Sequence, residues 1–310
     1  VKGTAAVDTN GQFDVALGKN QEPLQNADNT YQFKKLQREN GSSMDTSFTM
    51  KGGATITNCK SDGNGAALYV HNAALLTLEN ANFTTNNAGG FGGAVYLGTG
   101  VQTTIGNDVT FTGNHAAKDG GALYLANQYT LHVKADNILV QVPVTFNGGT
   151  FTGGQITVKN DDYGELTITG GNFTQPGENR YAVYNANTAT ISGGTFTAES
   201  TVVGSDYFAG GANTGKLTIS KGTFTSESSG TAISMGAGAD LTLTGGTFQT
   251  QGDGSSYVIS LAETATAEIS GGSFPGAEAA RVVNSSDAFR DGYGVVKNPD
   301  GSLSVGVKDE

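Results

Sequence analysis

A short unit returns through the second half of the chain at near-constant spacing: Gly170-Gly171-Asn172-Phe173, Gly193-Gly194-Thr195-Phe196, Lys221-Gly222-Thr223-Phe224, Gly245-Gly246-Thr247-Phe248 and Gly271-Gly272-Ser273-Phe274. Followed backward through Phe151, Phe111 and Phe83, successive phenylalanines lie 28, 40, 22, 23, 28, 24 and 26 residues apart. A unit of this length cannot bury its own apolar face, so copies must stack on one another to enclose a core. The long interval of 40 marks an excursion around Tyr129 to Val144.

Within each unit the apolar residues alternate. Five positions before most of the phenylalanines stands an aliphatic residue, Leu78, Ile168, Ile191, Ile219, Leu243 or Ile269. Roughly 8 to 12 residues after the phenylalanine comes a second alternation, as in Leu68/Val70, Val95/Leu97, Leu123/Leu125, Ile233/Met235 and Ile259/Leu261. Period-two alternation describes half-buried strands. The expected fold is therefore all-β: a single-stranded right-handed parallel β-helix of about nine coils, with three short strands per coil and caps at both ends. Residues 1–50 lack the repeat and are expected to form an N-terminal cap or non-repeat segment, with residues 51–280 forming the helix, interrupted over 126–150, where its cross-section is expected to change. Residues 281–310 are expected to form a C-terminal cap, with a hairpin turning at Asn298-Pro299-Asp300-Gly301.

Composition narrows the function classes. With 47 glycines, 5 prolines and 15% charged residues, the chain is neither disordered nor collagen-like. A formal net charge of −11 argues against a nucleic-acid partner, which needs lysine and arginine to displace phosphate counterions. Cys59 is the only cysteine, so no intrachain disulfide forms, and no apolar run of about 20 residues offers a membrane span. The sequence starts at Val1 without a signal peptide, which fits a processed product as well as a cytosolic one.

Two ordered motif pairs carry a resemblance. Phe83-Thr84-Thr85-Asn86 followed by Gly92-Gly93-Ala94-Val95, and Phe111-Thr112-Gly113-Asn114 followed by Gly120-Gly121-Ala122-Leu123, resemble the FxxN and GGA[ILV] tetrapeptides of polymorphic outer-membrane-protein repeats. An eroded copy lies at Ile56 to Tyr69, so the resemblance covers about residues 54 to 125. The later units and the Asp291 to Val305 ending are similar to repeats of large cell-surface proteins of gut Firmicutes. These resemblances imply an adhesin-like bacterial β-helix, extracellular or on the cell surface, and identify no ligand.

Candidate chemistry is sparse. Asp161-Asp162 with Glu165 is the densest acidic group and reads as an exposed turn. His71, His115 and His132 share no metal-ligand spacing, Asp8, Asn10 and Asp14 break calcium-loop spacing, and Cys59 reads as a packing residue. No metal or cofactor is expected. If the second alternation faces inward, Tyr69, Tyr96 and Tyr124 face outward as a ladder joined by Tyr184, which is the candidate ligand-binding row. Ordinary cross-strand stacking accounts for the same row. Threonines flanking the phenylalanines, such as Thr110/Thr112, Thr195/Thr197 and Thr223/Thr225, form arrays like those of ice-binding solenoids, interrupted at Asn82, Asn172, Gln249 and Pro275.

The leading expectation is a non-enzymatic surface or adhesion module that binds a surface glycan or a host or bacterial protein. A polysaccharide lyase or glycoside hydrolase is the alternative, recognisable by an acidic cluster with a basic residue on one face. A subunit associating end to end and an ice binder stand as further alternatives.

Overall fold

Strands of this chain pair with their counterparts one coil away, and the pairing sets equivalent core positions against one another up the stack. The structure, a computed structural model, describes residues 46–70, 74–98, 101–125, 130–133, 136–139, 142–161, 164–177, 181–206, 215–228, 231–251 and 256–308. It is a parallel β-solenoid, nearly all strand, with two short 3-10 turns at Ala279–Arg281 and Ser286–Ala288. The 1–45 part of the expected N-terminal cap lies outside the described residues.

Several inward columns build the core, and three of them carry the repeat positions. The first runs Met50, Leu78, Ile105, Phe146, Ile168, Ile191, Ile219, Leu243, Ile269 in register. The second starts at Ile56 and continues through every repeat phenylalanine from Phe83 to Phe248. The third runs Leu68, Val95, Leu123, Val158, Val183, Val203, Ile233, Ile259. That third face is a sheet of eight stacked strands, so the coil number falls somewhat below the nine expected.

The phenylalanines are fully buried and stacked ring on ring. From Phe151 to Phe248 the centroids repeat at 4.7, 4.8, 4.8 and 4.9 Å with interplanar angles no larger than 7°. This is the inter-strand spacing itself, so the backbone ladder and the ring stack reinforce each other. Phe146 takes the aliphatic position of its coil and meets Phe151 and Phe173 edge-on, at 70° and 63°.

The Gly-Gly pairs are corners. Gly246 has φ +111°, and a Cβ there would lie 3.0 Å from the ring of Phe248 and 3.3 Å from the carbonyl oxygen of Gly222. The position demands both a left-handed backbone and an absent side chain. In the GGA motifs the constraint is contact between coils, since a Cβ on Gly121 would sit 2.3 Å from the Cα of Gly154.

The FxxN asparagines are also structural. Asn114 Oδ1 accepts from the backbone N–H and the side-chain amide of Asn86, at 3.0 and 2.9 Å, and Asn86 Oδ1 accepts from the N–H of Cys59 at 3.0 Å. Cys59 thus occupies the first rung, where the ladder loses its amide. Beside this ladder runs a short extra sheet, Lys60–Ser61, Asn87–Ala88 and His115–Ala116, confined to the coils before the excursion. Within the excursion Thr130–Val133 pairs antiparallel with Asp136–Leu139, and the stack resumes in register, with Thr150 beside Thr110.

At the C-terminal end, Tyr293–Lys297 and Leu303–Val307 form an antiparallel hairpin, and the latter strand pairs antiparallel to Ser273–Phe274. The reversal of direction ends the parallel stack. Asp300 Oδ1 accepts from the Ser302 N–H and hydroxyl in the turn, and these bonds hold its carboxyl below the usual carboxylate range.

Phe196→Ala empties one rung in the middle of the ring stack and should lower stability by about 3–5 kcal/mol, read from chemical denaturation followed by circular dichroism. Gly246→Ala should cost more than about 1 kcal/mol in the same measurement, because alanine meets both strain and contact there.

Candidate functional site

With Leu68 and Val70 turned inward, the residue between them points out, and register carries that position up the whole third face. The outward column reads Tyr69, Tyr96, Tyr124, Lys159, Tyr184, Gly204, Ser234, Ser260. The first three tyrosines stack, with centroids 5.0 and 5.7 Å apart and interplanar angles of 1° and 5°. Tyr184 does not join them directly, since Lys159 stands between Tyr124 and Tyr184.

Burial divides this column. Tyr69 is 57% exposed, Tyr96 is half-buried, and Tyr124 and Tyr184 are only 5% and 7% exposed. Loop residues cover the buried pair. Phe91 lies 4.4 Å from Tyr124, with the Lys118 ammonium 4.8 Å above the Phe91 ring. Tyr181 lies 5.1 Å from Tyr184, and its ring spreads over Gly204, where a Cβ would come within 2.5 Å of it. Ile156 and Ala186 complete this small apolar cluster outside the main core.

Polar groups in the buried half are mutually satisfied. The Tyr124 hydroxyl donates to Asp161 Oδ2, and the Tyr184 hydroxyl donates to Asp206 Oδ2. Lys159 Nζ lies 3.8 Å from Asp119 Oδ2 and 4.0 Å from the centroid of the Tyr184 ring. Burial first, and then the neighbouring carboxylate, pushes the phenols of Tyr124 and Tyr184 far above the ordinary tyrosine range. Tyr96 is raised as well, by burial and then by Tyr69 and Asp161.

The enzymatic alternative calls for carboxylates with a base on one face, and Asp119, Asp161, Asp206 and Lys159 meet that description by position. Two of these carboxylates accept from tyrosines and the third faces the lysine. Among the described residues no group of three or more His, Cys, Asp or Glu is placed to hold a metal ion.

Of the acidic group seen in the sequence, Asp161 is bonded to Tyr124, Glu165 sits in Gly164–Ile168 on the first face, and Asp162 lies outside the described residues, as do His71, Asp8, Asn10 and Asp14. His115 is exposed in its short strand. Sequence reasoning missed Lys159, Asp206, Phe91 and Tyr181. Lys159 was within reach, since Val158 and Asn160 flank it as a third-face pair.

Compared with protein-family models, curated proteins and solved structures, the chain matches none of them.

The raised phenols carry a pH consequence. Above the ordinary tyrosine range the native state holds protons that the unfolded chain releases, so their contribution to stability is complete below that range and declines as pH rises through it. In an alkaline spectrophotometric titration, Tyr124 and Tyr184 should ionise only as the fold is lost. Their ionisation together with the exposed tyrosines, the circular dichroism being unchanged, would contradict the buried hydroxyl–carboxylate pairs.

Proposed function

We propose that the chain is a non-enzymatic, adhesin-like binding module of a bacterial extracellular or cell-surface protein. It engages a surface glycan, or a protein that displays one, at the open end of the tyrosine column. The observation that carries this reading is the exposure of Tyr69 on a pre-ordered stack with Tyr96.

Within a column stacked along the solenoid axis, ring faces cover one another, and the side turned to solvent consists of ring edges and hydroxyls. Tyr69, at the end of the described column, is the ring with most face to offer. Rigid aromatic rings supply contact area at small entropic cost, and their hydroxyls bond to sugar hydroxyls. Tyr124 is the packed and hydrogen-bonded base on which the two outer rings stack.

The test is a glycan array followed by calorimetry on any hit. Tyr69→Ala should weaken binding by about tenfold, the loss of one aromatic anchor, whereas Ser260→Ala at the far end of the same column should change it little. Equal affinity in Tyr69→Ala would remove this site. Turnover of a polysaccharide that Lys159→Ala abolishes would replace the binding reading with the lyase or hydrolase one.

A further inference from the structure

The second face carries a surface that the tyrosine column does not touch. Residues on either side of each core phenylalanine point outward, and the register holds them in two straight columns. The column after the phenylalanine, from Thr57 through Thr225, is threonine in every coil, and the one before it, from Thr55 through Thr247, is threonine or asparagine. Both are at least partly exposed along their whole length. The 40-residue interval leaves no gap, because Thr150 pairs directly with Thr110. A third column on the adjoining face, Thr49 through Thr242, is again threonine in each coil.

Strand propensity explains threonine at an exposed strand position, yet it favours valine, isoleucine and tyrosine as well, and a solvated sheet face ordinarily mixes polar residue types. In a chain with 28 acidic residues, neither column of the second face holds a single charge from Thr55 to Gln249. Nor does either hold an aromatic ring on which a pyranose would stack. The asparagine at position 82 continues the hydroxyl row: Thr110 Oγ1 donates to Asn82 Oδ1 at 2.6 Å, and Asn82 Nδ2 donates to Thr55 Oγ1 at 3.5 Å.

The array is periodic in two directions. Along the axis it shares the 4.7 to 4.9 Å repeat of the rings beneath it. Along each strand, alternate residues are about 6.7 Å apart. These two repeats lie close to those of the oxygen atoms on a prism face of hexagonal ice. Each threonine offers one methyl, which leaves adjacent water nothing to bond to, and one hydroxyl, which anchors it.

We propose that this uncharged threonine face binds the surface of ice. The ligand is a lattice of water rather than a molecule, and the rigidity of the stacked coils keeps the array commensurate with it. The inference stands independently of the tyrosine column.

The experiment measures thermal hysteresis and ice shaping of the full chain, together with its partition into a slowly grown ice hemisphere. Wild-type protein should shape ice crystals and be enriched in the ice. Thr195→Lys and Thr197→Lys should each lower the hysteresis about tenfold at equal concentration, since a charge on a commensurate face clashes with the lattice. Ser260→Lys, which adds the same charge to the third face, should retain it, and so should Tyr69→Ala. Circular dichroism melts confirm that each variant is folded, and if either lysine variant fails to fold, Thr197→Val, which keeps shape and loses the hydroxyl, takes its place. Hysteresis indistinguishable from an albumin control, or equal in the second-face and third-face variants, would overturn the proposal. So would retention on microcrystalline cellulose or chitin that Thr197→Lys abolishes while the ice assays stay blank, which would give the face to a crystalline polysaccharide.

Discussion

In-register parallel pairing is the constraint from which the rest of this molecule follows. Once each strand hydrogen-bonds to its equivalent one coil away, every side chain lies against the side chain of the same position in the next copy. The inner rings stack because the backbone brings like to like, and their burial in turn supports the pairing. The same rule operates on the outside, where it lines up tyrosines on one face and threonines on another. Surface chemistry that is scattered on a globular domain becomes linear and periodic here.

Periodicity is also why much of the fold was legible in the sequence. The repeat phenylalanines and the aliphatic residues five positions earlier occupy the same two columns in the structure, and Leu68, Val95 and Leu123 occupy the third. Departures from strict spacing were harder to read. Ile105 belongs to the first column although it stands six residues before Phe111, because a register shift between Leu78 and Asn80 absorbs the extra residue. Phe146 holds the aliphatic position of its coil from within the 126–150 interval, where the repeat pattern predicts an interruption.

The tyrosine column shows the limit of pattern reading more sharply. Alternation identifies which residues point outward, and Tyr69, Tyr96 and Tyr124 do stack as that logic requires. It says nothing of what lies over them. Tyr124 and Tyr184 are buried by Phe91, Tyr181 and Ile156, and bonded by Asp161 and Asp206, all of which come from turns, where no period operates. An outward position on a solenoid can therefore still be an interior one.

One break in the apolar pattern bears on how so repetitive a chain finds a single arrangement. The second inward position of the third face is Leu97, then Leu125, then Asn160, Asn185 and Ser205, and then Met235. Asn160 donates to Asn185 at 2.7 Å, Asn185 donates to Ser205 at 2.9 Å, and the Ser205 hydroxyl donates to the Gly215 carbonyl. Phenylalanine coils are nearly interchangeable, and a chain that skipped a coil would still lay ring on ring. A skipped coil in this region instead sets a buried amide against leucine or methionine, with its donors stranded in the core. The polar run works as an address written into an otherwise uniform column, giving the middle coils a fixed order that hydrophobic burial alone leaves degenerate.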